Sequence, residues 1–164
     1  MDFETVIRER KSTRLFSSKE VEKEKLDKVL EAGRIAPTAK NSQAFRIFVV
    51  NSKEGLDKID KCSPCRYKAP LVLIVCGSKE KAFKEKYAID PSIVATHMML
   101  EATNVGLDNI WIGMFDEDKI VEEFDIPEEW IPVMLMPLGY KAKLCPPSPM
   151  HKMRKKIEEL VEYR

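Results

Sequence analysis

The stretch from Asp90 to Gly106 constrains the fold more than any other part of the chain. Asp90 and Pro91 read as an N-cap followed by proline at the first helical position, and Gly106 stands where a C-terminal cap belongs. The helix so framed has about four turns. Ile93, Val94, Ala95, Met98, Met99, Leu100, Ala102 and Val105 leave little of its circumference polar, so it must be buried on several sides. A chain of 164 residues has little material to cover such a helix all round. A second subunit is a candidate for part of that cover.

Around this helix, short apolar runs alternate with amphipathic segments. Phe45 to Val50 and Leu71 to Cys76 are β-branched or aromatic runs, too short for helices and suited to strands buried on both faces. Glu54 to Lys61, between them, carries Leu56 and Ile59 in a helical pattern. Val21 to Ile35 sets Val21, Leu26, Val29, Leu30 and Ala32 mostly at helical spacing before Pro37 stops the run. Downstream, Asn109 to Met114 reads as a strand, Glu117 to Phe124 as a helix and Trp130 to Gly139 as a strand. Pro132 and Pro137 predict that this last strand lies at a sheet edge or ends there. Lys152 to Tyr163 places Ile157, Leu160 and Val161 on one stripe and predicts a closing helix. No repeat, low-complexity tract or linker interrupts the series, so residues 1–164 read as one domain. Alternation favours an α/β class and the helices ahead of the first strand favour α+β; periodicity leaves the choice open.

Composition narrows function. Lys plus Arg number 28 against 27 Asp plus Glu, a net charge of +1, which creates no general field for nucleic acid or an anionic membrane. Any anion must be met by a local cluster. The longest apolar runs fall far short of the roughly 20 residues that span a bilayer. The opening MDFETVIRERK lacks the apolar stretch and cleavage site of a secretory signal, so the expected address is the cytoplasm.

With 44% hydrophobic residues the chain builds a core without staples, and Cys62, Cys65, Cys76 and Cys145 are expected as free thiols. Cys76 lies inside an apolar run and reads as core. The C-x-x-C spacing of Cys62 and Cys65 suits a redox disulfide or half of a four-thiolate metal site. No second pair exists, and the pair follows a helix instead of opening one. A structural turn is the stronger reading, and no metal is expected. His97, in the middle of the apolar helix, reads as a hydrogen-bonded core or interface histidine, because no carboxylate is placed by sequence to make it a base.

Three segments carry the polar chemistry. Arg8, Arg10, Lys11 and Arg14, with Ser12 and Thr13 among them, can surround a phosphate through planar paired donors and hydroxyls; alone, they fit a solvated basic face at a helix end as well or better. Ala36 to Gln43 offers amides and hydroxyls on a fixed loop, suited to a ligand rich in hydroxyls and ring heteroatoms, or to an ordinary turn. Lys152, Arg154, Lys155 and Lys156 put cations at the start of the expected last helix, against its macrodipole unless an anion is present.

Together these segments resemble a family. Arg10-Lys11-Ser12-Thr13-Arg14 followed by Ala36-Pro37-Thr38-Ala39-Lys40-Asn41-Ser42-Gln43 is similar to the two N-terminal flavin-binding motifs of the nitroreductases. Asp90 to Gly106 and then Trp111-Ile112-Gly113 resemble that family's central helix and the strand that reaches the flavin ring. Pro127 to Tyr140, ending Leu138-Gly139-Tyr140, resembles its IP-x(n)-LGY stretch, and Lys152-x-Arg154 its C-terminal phosphate contact. Each motif is short, but their order spans nearly the whole chain.

The resemblance implies an α+β fold: a nitroreductase-like α/β sandwich with a mixed central sheet flanked by helices, as a homodimer with FMN at the subunit interface. It implies that Arg10, Ser12 and Arg14, with Lys152 and Arg154, bind the FMN phosphate and ribityl chain, and that Lys11 adds backbone or charge. Pro37, Thr38, Ala39 and Asn41 would line the flavin from the partner subunit, and the backbone of Ile112 and Gly113 would approach the N5 edge. Trp111 and Trp130 read as core or interface, although Trp111 is close enough to Gly113 to sit near the ring. The implied activity passes electrons from NADH or NADPH through FMN to a nitroaromatic, quinone or similar small acceptor by a ping-pong mechanism, with no catalytic acid or base required. Only residues 77–89 separate the Cys76 strand from Asp90, where many members insert helices that cover the flavin. An under-covered flavin leaves a second reading open: a flavin-binding, storage or sensing protein with little nicotinamide-dependent turnover.

Overall fold

The computed structural model describes residues 1–146 and 148–164. Helices α1 (Phe3–Glu9) and α2 (Lys23–Arg34) precede strand β1 (Phe45–Val50); helix α3 (Lys53–Cys62), strand β2 (Leu71–Gly77) and helix α4 (Ile89–Asn104) follow. Strand β3 (Asp108–Asn109), helix α5 (Glu117–Glu123) and strand β4 (Ile131–Gly139) complete the regular elements, with short 3₁₀ turns between and after them.

The sheet is ordered β1-β2-β4-β3. Its named strands pair antiparallel throughout, and the parallel component of a mixed sheet is confined to one bridge between Ser12 and Asn109. Every residue of β2 is buried. Because side chains alternate across a strand, Val72, Ile74 and Cys76 face a core built with Ile59, Cys62 and Ile120. Leu71, Leu73 and Val75 face the other, built with Val29, Val94, Met98 and Ala102. Helices α3 and α5 cover the first face and α2 and α4 the second, which makes a three-layer α+β sandwich. Each fully buried Val, Leu or Ile contributes about 1.5–3 kcal/mol by leaving water, so β2 anchors both layers. Burial pushes the Cys76 thiol up to about 12, which fits its reading as core, and all four cysteines are free.

Four expectations need correction. Strand β4 is not an edge: it lies between β2 and β3. Both prolines fall where the ladder is already broken. The Pro137 carbonyl accepts from the Ile110 N–H at 3.3 Å, so the side on which Pro137 lacks a donor faces the irregular segment after β3. Pro132 adjoins the register shift at Val75/Cys76, where Val133 has no partner on β2. The strand read over Asn109 to Met114 shrinks to Asp108–Asn109 plus a bridge from Ile112 to Leu135.

Asp90 is not the N-cap of α4; the helix starts one residue earlier, and the Asp90 side chain is used elsewhere. The closing helix over Lys152 to Tyr163 is replaced by a 3₁₀ turn at Ile157–Glu159 in an exposed tail. At its other end α4 stops as the sequence indicates. Gly106 takes φ 78°, and the N–H groups of Gly106 and Leu107 bond to the carbonyls of Thr103 and Ala102 at 3.1 and 2.8 Å, a Schellman closure. No helix among the described residues is long and apolar enough to cross a membrane.

Gly77, the last residue of β2, is required by a close approach of backbone. A Cβ there would stand 2.0 Å from the Tyr87 carbonyl oxygen and 3.0 Å from Pro91. Gly77→Ala is expected to lower stability by about 2–3 kcal/mol, read as a lower urea midpoint with an unchanged slope. An unchanged midpoint would mean that residues 78–87 yield freely.

Candidate functional site

The N-terminal basic cluster is held by backbone. Beyond α1 the chain runs extended: Thr13 N–H donates to the Asn109 carbonyl at 3.1 Å, Phe16 N–H to that of Tyr67 at 3.0 Å and Ser17 N–H to that of Tyr140 at 2.8 Å. Extended chain alternates its side chains. Thr13 and Phe16 turn inward, each 3% exposed, and the Thr13 hydroxyl donates to Asp108 at 3.0 Å. Arg10, Ser12 and Arg14 share the parity opposite to Thr13, and the alternation breaks before Phe16, which has their parity but is buried. The R-x-S-x-R spacing is thus that of a strand face.

That face opens on a cavity of about 280 Å³ lined by residues 10–14, Lys141, His151 and Arg154 among others. Arg10, Lys11, Arg14, Lys141 and Arg154 contribute five cations and the lining residues contain no carboxylate. None of the five makes an ion pair among the described residues; the nearby acid, Asp108, is spent on the Thr13 hydroxyl and the Lys141 N–H. Burial, and after it the charge of Arg154, push the Arg10 guanidinium down from its usual range. A half-buried guanidinium beside a like charge, with no carboxylate in the lining, favours an anion there, and the bidentate geometry of arginine suits a phosphate.

Lys152 is exposed and does not line this cavity, although Arg154 does. Lys141 was missed by the sequence reading; its only local signal is that it directly follows Leu138-Gly139-Tyr140. The tyrosine of that motif is structural. Its hydroxyl donates to Glu22 and accepts from Lys25 at 2.8 Å, and Tyr140, followed by Lys19, holds the Glu22 carboxyl down at about 2.

Residues 37–43 form a second constellation, apart from the cavity. Lys40, Asn41 and Gln43 all adopt positive φ, at 53°, 55° and 50°, and Gln43 N–H donates to the Thr38 hydroxyl at 3.0 Å. The loop is pinned from α4. Asp90, 3% exposed, accepts from the Ala39 N–H at 3.0 Å with one oxygen and from the Ser42 hydroxyl at 3.3 Å with the other. Sequence assigned Asp90 to a cap because Asp before Pro is a cap signal; its real partners lie about fifty positions away, beyond the reach of local pattern. Pro37, Lys40 and Asn41 remain exposed.

The third group, Trp111-Ile112-Gly113, stands at the far side of β4. Ile112 is fully committed: its N–H donates to the Leu135 carbonyl at 2.9 Å and its carbonyl accepts from the Leu135 N–H at 3.0 Å. Gly113 is exposed and its N–H has no partner among the described residues. The Trp111 ring, 41% exposed, lies against it. The chain therefore joins residues 10–14 with Arg154, and keeps residues 37–41 and 112–113 outside that cavity. His97 and the C-x-x-C pair take no part. His97 Nδ1 bonds to the Ile93 carbonyl at 3.0 Å. Cys62 and Cys65 are buried around Ser63, whose hydroxyl accepts from the Cys65 N–H at 3.1 Å and donates to the Met114 carbonyl at 2.7 Å.

Comparison with known proteins is consistent across sequence and structure. The family model of the nitroreductase family matches residues 7–66 and 63–140. A Methanothermobacter thermautotrophicus protein provisionally named an NADH dehydrogenase/NAD(P)H nitroreductase is 33% identical over 151 residues, covering 87% of this chain and 79% of its own. A solved nitroreductase family protein of Clostridium difficile 630 is 41% identical with a TM-score of 0.91, over 99% of this chain and 98% of that one. An FMN-dependent nitroreductase of Clostridium difficile R20291 is 27% identical with a TM-score of 0.82, over 96% of both chains.

Asp90→Ala removes both acceptors that fix residues 39 and 42. A hydrogen bond to a charged group contributes about 1.5–3 kcal/mol, so hydrogen exchange at the Ala39 amide should quicken by at least about tenfold while the amides of β2 keep their protection. Asp90→Asn, which retains one carbonyl oxygen, should fall between. Unchanged exchange at Ala39 in Asp90→Ala would show that the loop holds itself.

Proposed function

Because this chain belongs to the nitroreductase family, we propose that it is an FMN-dependent oxidoreductase that passes electrons from NADH or NADPH to nitroaromatics, quinones or similar small acceptors. The observation that carries this reading is the cavity of five unpaired cations. A phosphomonoester dianion supplies the counter-charge that the cavity lacks, and the name of the Clostridium difficile R20291 relative supplies the cofactor class.

In this proposal Arg10, Ser12, Arg14 and Arg154 hold the FMN phosphate and ribityl chain, with Lys11 and Lys141 adding charge. Lys152 has a lesser part, since it stands outside the cavity. Pro37, Thr38, Ala39 and Asn41, pinned by Asp90, line the ring of the flavin bound by a second copy. Gly113 donates its free N–H at the N5 edge, while Ile112, bonded both ways to Leu135, fixes the position of Gly113. Bound FMN supplies the two-electron chemistry, so the residues need only bind, orient and stabilise negative charge. Alternate use of one face by donor and acceptor makes the kinetics ping-pong.

The homodimer in this proposal draws on two observations. One chain keeps the phosphate cavity and the residue 37–41 loop apart. Phe3 and Ile7 on α1 are 69% and 50% exposed, and the tail exposes Met153, Ile157, Leu160 and Tyr163 at 64% or more, apolar side chains that a second copy could cover. The flavin-binder reading draws on the segment after β2, whose only helical piece is the 3₁₀ turn Phe83–Glu85.

Arg10→Ala/Arg14→Ala should yield a folded protein with little or no FMN. Two charge-assisted bonds at roughly 1.5–3 kcal/mol each weaken binding at least about a hundredfold; a full flavin complement would remove the phosphate assignment. Sedimentation equilibrium should give a dimer at micromolar concentration, and a flavin-loaded monomer would sink the shared site. Anaerobic stopped-flow should show flavin bleaching by NADH or NADPH and recovery with a quinone. Bound FMN that neither nucleotide bleaches would leave the binder reading.

A further inference from the structure

Antiparallel pairing of Phe45 with Gly77 brings the residues before β1 and after β2 to one end of the sheet, where Ser78 N–H donates to the Ala44 carbonyl at 3.3 Å. Two loops stand side by side there: residues 38–43, tied to Asp90, and residues 78–88, which replace longer cover. Of the eight non-glycine residues with positive φ among the described residues, five fall in these loops: Lys40, Asn41, Gln43, Lys84 and Glu85. Asparagine tolerates that region through its short polar side chain, but lysine has no such reason to occupy it. Backbone held this way at a site is a pointer to what the side chains do.

Lys40 and Lys84 reach the same ring. Their ammonium groups lie 4.7 and 5.4 Å from the centroid of Phe83, which is 42% exposed. Lys81, on the same loop, is instead neutralised by Glu129 at 3.0 Å. Neither Lys40 nor Lys84 makes an ion pair among the described residues. An exposed aromatic ring between two uncompensated cations offers a stacking face for a base together with charge for phosphate.

On the reading that Pro37, Thr38, Ala39 and Asn41 line the flavin, we propose that Phe83, Lys40 and Lys84 form an outer rim that binds the adenosine diphosphate part of NADH or NADPH, the ring against adenine and the ammonium groups on the diphosphate. The donor is the occupant because of its length. A nicotinamide placed over the flavin leaves its diphosphate and adenosine projecting past the pocket, whereas a quinone or nitroaromatic ends at the ring. The loop after β2 is too short to enclose the projecting part, and a rim of exposed cations is what such a loop can offer.

The test uses the flavin-loaded protein and the oxidised nucleotides NAD⁺ and NADP⁺, which bind without reducing it. Lys40→Glu/Lys84→Glu should raise their Kd by calorimetry at least about tenfold, and the KM for NADH or NADPH in parallel. Phe83→Leu should raise both several-fold. Wild-type affinity should fall with added salt more steeply than that of the double variant, and the flavin complement should stay full in all variants. The effect on the donor should exceed that on a neutral quinone by about tenfold. Full flavin with unchanged nucleotide Kd overturns the rim, as does a loss confined to a carboxylated quinone. Wild-type protein that takes up no flavin at all would fail the nitroreductase reading and the rim together, an outcome separate from the other two.

Discussion

Strand β2 sets the terms for the rest of the molecule. Seven consecutive residues have no face open to water, so whatever is built around them must supply apolar cover on both sides at once. Helices α2 and α4 answer on one side and α3 and α5 on the other. Partner strands are equally constrained, since each backbone group of β2 needs a bond in the sheet plane. β1 and β4 provide these on its two edges. The apolar girdle of α4 follows from the same demand, because α4 packs across the sheet and against α2 at once.

What remains for chemistry lies at the margins of this sandwich. The segment from Arg10 to Arg14 follows the sheet's far edge by pairing with Asn109, and Thr13 is its one buried residue. The residue 38–43 loop and the residue 78–88 loop stand together because β1 and β2 are antiparallel. Asp90 connects the layers: it begins the buried helix and ends as the fixed support of an exposed loop. The proposed binding elements, Arg154 apart, are thereby tied by backbone or side-chain hydrogen bonds to the sheet and to α4, an arrangement suited to a cofactor that does its own chemistry and asks only for placement.

The core could be read from the chain almost residue by residue where burial acts locally. Phe45 to Val50 is a strand with the bounds its composition indicates, α3 and α5 fall within a residue of their patterns, and Gly106 ends α4 through its positive φ. Legibility fails where a distant partner decides. The prolines of β4 pointed to an edge or a strand end; Pro132 does fall next to the start of β4, but the strand is interior, a place made tolerable by the bulge opposite Val75/Cys76 and the irregular segment after β3. Asp90 carries a cap signature that is outbid by two donors from residues 39 and 42. For the site, R-x-S-x-R was visible as a motif and ambiguous as chemistry. The absence of any carboxylate from the cavity lining favours an anion site over a solvated face, and that is a property of tertiary arrangement alone.

The tail shows the same dependence in reverse. Lys152 to Tyr163 has a helical stripe, yet Ile157, Leu160 and Val161 are 64%, 66% and 43% exposed and only one 3₁₀ turn forms. A segment of this length is marginal as a lone helix because nucleation is costly and each added bond contributes little; such a stripe folds when a surface receives it. In the single chain no such surface is offered. Arg154 reaches the cavity, but its hydrogen bonds run to the tail's own carbonyls at Met150 and Met153, at 3.2 and 2.7 Å. Arg154 stands near enough to Arg10 to add a like charge to it, while the backbone bond from Ala142 to Leu15 ties the start of the tail to the body. On the proposed reading, the FMN phosphate would offset that repulsion by drawing Arg10, Arg14 and Arg154 to a common centre, and would stabilise the state that binds it by mass action.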